Sequence, residues 1–157
     1  MHFHENTKRA QGPYTRSAES LTCYCTAVRE AAKHLSRLYD SYLSNVGLSV
    51  TQFTILRLLY NHGKVTIAEL AGALVTDRSA MGRNLKPLER EGLISVKVGT
   101  ADRRERTVVL TEAGRQRFKE SLVPWRKAQK IFESSLGEKG ALHFRKTMAD
   151  IVDLSLL

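Results

Sequence analysis

Cysteine, proline and aromatic residues are scarce in this chain of 157 residues: two Cys, three Pro, one Trp, and 7% aromatic in all. Two cysteines, Cys23 and Cys25, cannot staple a disulfide-built secreted scaffold. The longest apolar runs, Leu58–Tyr60 and Val108–Leu110, are far too short to cross a membrane. Met1 to Gly12 is polar and lacks the apolar segment of a secretory signal, so the expected compartment is the reducing cytoplasm. There is no nucleophile–base pair at readable spacing, no phosphate loop, and no metal cluster among the five scattered histidines. An enzyme is therefore not expected, nor a metal or cofactor.

What is present is a globular composition, 42% hydrophobic and 26% charged, at a length of about one domain. Lys and Arg number 25 against 16 Asp and Glu, a net charge of +9. Such an excess favours a polyanionic partner, nucleic acid before membrane.

Residues 1 to about 18, with His2, His4, Gly12 and Pro13, show little periodicity and read as a flexible arm. From Leu21, an apolar stripe of Cys25, Val28, Ala32, Leu35, Tyr39, Tyr42 and Val46 steps by threes and fours along a helix that Gly47 ends. Thr51 to Asn61 is apolar nearly all round, as in a buried helix, with Gly63 as its stop. Thr66-Ile67-Ala68-Glu69 is a capping-box pattern opening a short helix to about Leu74, with Ala68, Leu70, Ala71 and Leu74 inward. After Val75-Thr76-Asp77, Asp77 or Thr76 caps a helix reaching Glu91 and Gly92. Pro87 inside it is expected to kink or end the regular turn near Lys86. Two short amphipathic helices joined by about three residues make a helix-turn-helix.

Leu93 to Val98 and Arg106 to Leu110 read as strands of a hairpin around a polar turn. Thr111 then caps a helix with Phe118, Leu122, Trp125, Phe132 and Leu136 on one face, Gln129 breaking it and Pro124 bending it. Gly137 and Gly140 separate a last helix with Phe144, Met148, Ile151 and Val152 inward. The fold class is mostly α with a small β-hairpin wing. The helices of about 19–46 and 115–157 leave faces that a two-fold partner would bury, flanking a winged helix-turn-helix of about 50–112 within one domain, 19–157.

Arg78 to Arg106 holds eight basic and four acidic side chains, an excess of +4 in 29 residues. A B-DNA major groove admits one α-helix. Arg78, Ser79, Arg83, Asn84 and Lys86 are the hydrogen-bonding side chains of that helix: Arg pairs with guanine, Asn with adenine, Ser and Lys with phosphates or bases. On the hairpin, Arg103, Arg104 and Arg106 supply charge, and Asp102 holds Arg104 toward the minor groove. The expected partner is double-stranded DNA.

Leu48-Ser49-Val50-Thr51-Gln52-Phe53, the helices Leu70–Leu74 and Arg78–Leu88, Glu91-Gly92-Leu93-Ile94, and Asp102 through Leu110-Thr111-Glu112-Ala113-Gly114 resemble the MarR family of bacterial transcriptional regulators, over roughly residues 20 to 157. The resemblance implies a homodimer built from the terminal helices, binding a pseudo-palindromic operator, usually as a repressor. It makes Arg104 the wing arginine and the helix from Asp77 the recognition helix.

Two triggers fit. Cys25 lies 27 residues before Gln52, similar to the reactive cysteine of the family's organic-hydroperoxide-sensing branch. Tyr39 falls where that branch has a tyrosine reaching the thiol, while Arg29 replaces a second tyrosine and would favour a thiolate. Cys23, two residues back in the same helix, lies about 200° round and cannot easily bond Cys25. The other trigger is a small aromatic or anionic ligand among Tyr39, Tyr42, His34, Arg29 and Trp125. An effector-free architectural DNA binder of the same fold is the alternative function.

Overall fold

The computed structural model describes residues 23–99 and 105–154, so the arm, Leu21, and the wing-tip residues Asp102, Arg103 and Arg104 lie outside the described residues. Helix α1 (Tyr24–Leu43) is followed by a 3₁₀ turn (Ser44–Val46), α2 (Val50–His62), β1 (Val65–Thr66), α3 (Ile67–Ala73), α4 (Arg78–Arg90), β2 (Ile94–Val98), β3 (Arg106–Leu110) and α5 (Glu112–Asp153). The chain divides into two compact units at Ser36/Arg37. Among the described residues no helix is long and apolar enough to cross a membrane.

In the first unit, the Cys23 carbonyl accepts the Ala27 N–H at 3.0 Å, so Cys23 stands just ahead of α1, not inside it. This corrects the expected placement of both cysteines in one helix. Cys25, Val28 and Ala32, on the apolar stripe, are exposed in the single chain, and Leu35 is half-buried.

The second unit begins with the last turns of α1, which bury Tyr39 and Leu43. Asp40 Oδ1 accepts the Val50 N–H at 2.7 Å, tying that end of α1 to the start of α2. Ser49 caps α2 with a reciprocal box: its hydroxyl accepts the Gln52 N–H, and the Gln52 side chain accepts the Ser49 N–H. Helix α2 buries Phe53, Ile55, Leu56 and Leu59 and stops at Gly63, whose φ is 75°. Phe53 stacks on Phe118 and Trp125 of α5, with ring centroids 5.7 and 5.6 Å apart. Tyr60, though partly exposed, meets Phe118 at 4.8 Å. These rings hold α5 against α2 by apolar burial and offset ring contact.

The wing is larger than the expected hairpin. β2 and β3 pair antiparallel from Ile94↔Leu110 to Val98↔Arg106, and β1 pairs with the other edge of β3, giving the order β1-β3-β2. Val65-Thr66 serves twice: as an edge strand, and through Thr66 as the cap of α3. In α3, Leu70 and Ala71 are buried while Ala68, expected inward, is exposed.

Helical backbone angles run through Pro124 and are lost at Gly137 (φ 71°, ψ 159°). There the chain turns sharply enough for Phe132 and Phe144 to meet edge-on at 5.4 Å. A straight helix would hold residues twelve apart at about 18 Å.

Candidate nucleic-acid interface

Asp77 starts α4. Its carboxylate accepts the Ala80 N–H at 2.7 Å, satisfying a donor that the first turn leaves free. That bond, aided by the Ser79 N–H and the Arg83 charge, holds the Asp77 carboxyl below its ordinary pKa. Glu69 does the same at the start of α3, held low by the Thr66 N–H and then by the Thr66 hydroxyl. Helix α4 thus begins on a carboxylate cap, and α3 on the Thr66 hydroxyl with the Glu69 carboxylate closing the box.

Met81, Leu85 and Leu88 are the buried face of α4. At about 100° per residue, Ser79, Arg83, Lys86 and Arg90 fall within roughly 50° of the opposite direction, and all four are exposed. Arg90 therefore joins the outward face; counting only the early residues of the helix overlooked it, although its spacing from Arg83 and Lys86 shows it. Arg78, at the first position of the helix, is exposed but by the same count stands well round from this row, nearer the buried direction. Asn84 lies nearer the buried side and is half-buried, so it is not one of the outward row. Pro87 neither ends nor unwinds α4 at Lys86: the helix continues to Arg90, and the Glu91 N–H bonds the Pro87 carbonyl at 3.0 Å. The burial of Leu85 and Leu88 on either side of the proline holds the last turn in place. Lys86 consequently stays on the helical surface.

On the wing, Arg106 and Lys97 are exposed at the tip-ward ends of β3 and β2. Gly99 N–H bonds the Glu105 carbonyl at 2.9 Å, extending the ladder past Val98 and Arg106.

The segment after the wing is fixed by one hydroxyl and one missing side chain. Thr111 Oγ1 accepts the Gly114 N–H, capping α5, and donates to the Gly92 carbonyl at 2.6 Å; the Thr111 N–H bonds the Leu93 carbonyl. A Cβ on Gly114 would stand 1.9 Å from the Leu93 carbonyl oxygen. The Leu110-Thr111-x-x-Gly114 motif therefore locks the start of α5 onto the turn between α4 and β2. Arg117 adds a bond to the Val46 carbonyl at 3.1 Å and a 3.7 Å ion pair with Glu91.

The sensing candidates are distributed between the units. In the first, Cys25, Arg29 and His34 are exposed. Cys23 is exposed too, and its thiol is held below the ordinary range by the Thr26 hydroxyl and then the Thr26 N–H. In the second, Tyr39 is buried and donates to Gln129 Oε1, and burial with the nearby Glu133 charge pushes its hydroxyl up. Gln129, the one polar break in its stripe, is the acceptor for that phenol. Tyr42 is half-buried, and Trp125 is committed to its stack on Phe53.

A family model described as MarR family matches residues 48–105. The M. tuberculosis transcriptional regulator MosR is 30% identical, covers 82% of this chain and 92% of its own, and superposes with a TM-score of 0.73. The same regulator in complex with DNA is also similar, at 30% identity, 84% and 99% coverage and a TM-score of 0.69. An organic hydroperoxide resistance transcriptional regulator of Bacillus subtilis is 27% identical over 90 residues, 57% of this chain. This chain spans 61% of that relative's length. These proteins are transcriptional regulators, not enzymes. With the winged helix-turn-helix geometry, they establish that the chain belongs to the MarR family of transcriptional regulators.

Proposed function

We propose that the protein is a sequence-specific repressor that binds a pseudo-palindromic operator as a homodimer and is released by an oxidant or a small ligand. The outward row of Ser79, Arg83, Lys86 and Arg90 on a capped helix carries this reading. Arg78, from the first turn, and Asn84 supply further contacts to bases or sugar–phosphate. The wing contributes Arg106 and Lys97 from its strands, and Arg103 and Arg104 at its tip, where Asp102 orients Arg104 into the minor groove. The solved DNA complex of MosR supports this use of the fold.

Two chains are needed because the ends of this one leave apolar side chains uncovered. Leu136, Leu142 and Val152 are 45, 59 and 65% exposed, and Val28 of α1 is 40% exposed. Segments of about 19–46 and 115–157 form the dimer, 50–112 the reading head, and 1–18 an arm, within one domain. Dimerisation sets the spacing of two reading helices to half-sites about one DNA turn apart.

Release follows from a change in that spacing. Cys25 and Cys23 are accessible to a peroxide, and the hydrogen bonds at Cys23 favour the reactive thiolate. Thiolate attack on the terminal peroxide oxygen gives a sulfenic acid and releases the alcohol. Arg29, Tyr39 and Tyr42 are the residues through which that event, or a small aromatic or anionic ligand, acts on the helices.

A mobility-shift assay on the DNA upstream of its own coding region tests the reading, with and without an organic peroxide and aromatic acids. The expected result is a specific shift that one of the two additives abolishes. A shift indifferent to competitor sequence and to both would instead identify an effector-free architectural binder.

A further inference from the structure

Helix α3 ends in a tightly bonded reversal. The Val75 N–H donates to the Gly72 carbonyl at 3.1 Å, and the Thr76 N–H to the Ala71 carbonyl at 2.9 Å. This pair of bonds is a Schellman closure, which forces its turn residue left-handed and for that reason usually employs glycine. Here the turn residue is Val75, at φ 50°. A β-branched side chain in that region is strained against its own backbone.

Packing within the chain does not offset the strain, because Val75 is 76% exposed. Glycine would serve the backbone better, so any benefit of the isopropyl group lies outside the chain. Its position says where. Two residues later Asp77 caps α4, and the exposed Arg78 and Ser79 follow at the start of that helix. Val75 is the exposed large apolar side chain in this otherwise polar entry to α4. The major-groove edge of DNA displays one apolar group, the thymine C5-methyl.

We propose that Val75 is a specificity-determining residue that packs its isopropyl group on a thymine methyl at the edge of the sequence read by α4. The proposal rests on the DNA-binding reading above. The test uses full-length protein and duplexes that it selects from a random pool, with each thymine replaced in turn by uracil, which lacks only the methyl. The wild-type protein is expected to lose about fourfold in affinity at one thymine per half-site, the weight of one buried methyl group. Val75→Gly is expected to bind thymine and uracil duplexes alike there, and to unfold at a higher temperature than wild type because the strain is gone. Indifference of the wild type to every uracil, or an equal uracil penalty in Val75→Gly, would overturn the contact. A lower unfolding temperature for Val75→Gly would contradict the strain on which it rests. Failure to select any duplex would instead bring down the regulator reading itself.

Discussion

The reading head and the chain ends are built to different standards of completion. Between Leu48 and Phe118 the chain satisfies itself: Phe53, Ile55, Leu56, Leu59, Leu70, Met81, Leu88 and Val108 are almost wholly inaccessible. The helices there start on Ser49, Thr66, Asp77 and Thr111 side chains. Beyond Gly137 the same alternation of apolar residues leaves Leu142, Ile151 and Val152 in the open. Similar sequence periodicity has thus produced a closed core in one place and an uncovered face in the other. The difference teaches that a stripe reports a face to be buried, not which chain buries it.

Substitutions at the two kinds of position should separate them, and the largest effect is expected in the core. Phe53→Ala removes a ring stacked on both Phe118 and Trp125, and should lower unfolding free energy by about 4 kcal/mol in denaturant titration. Leu142→Ser, on the open face, should change the stability of the single chain by less than about 0.5 kcal/mol while weakening self-association in sedimentation. Comparable losses at the two sites would erase the distinction.

Next comes Gly114→Ala. Its Cβ meets the Leu93 carbonyl with no flexible group to yield, so a loss of about 3 kcal/mol is expected in the same titration. Within the reading head, Arg83→Ala should leave stability near wild type, since the side chain is exposed. Its DNA affinity should fall by about 2 kcal/mol, roughly thirtyfold, with a salt slope lower by about 1 in filter binding. The smallest effect concerns pH. Asp77 and Glu69 are held below their ordinary carboxyl values, so their stabilisation is complete above those values and is lost as pH falls through the lowered ones. Acid titration followed by circular dichroism should show Asp77→Asn, which keeps a capping oxygen, with a shallower acid limb than wild type.

Much of this arrangement was legible because its signals are local. Thr66-x-x-Glu69, Asp77, Thr111, Gly47, Gly63 and Gly92 mark element ends by capping chemistry that acts within a few residues, and the described elements end there. β1 was not legible, because a two-residue strand has no periodicity and Val65-Thr66 already reads as a helix entry. Periodicity also could not say that Cys23 precedes α1, since an apolar stripe does not locate the cap. Pro87 does not end α4 as one of its two expected effects would have it: the local rule gave way to the burial of Leu85 and Leu88 around it. Of the nominated DNA contacts, Arg78, Ser79, Arg83, Lys86 and Arg106 are exposed and Asn84 is half-buried, while Asp102, Arg103 and Arg104 lie outside the described residues. Val75 carried no sequence signal, because a helix-closing turn of this kind is ordinarily marked by glycine and here valine occupies the left-handed position.

The stoichiometry of the protein on a selected duplex, measured by sedimentation together with a footprint, tests the central claim most directly. Two chains per duplex, protecting two half-sites about 10 base pairs apart and dissociating steeply with added salt, is the predicted result. One chain per duplex with a single protected site, or binding that salt does not weaken, would contradict it.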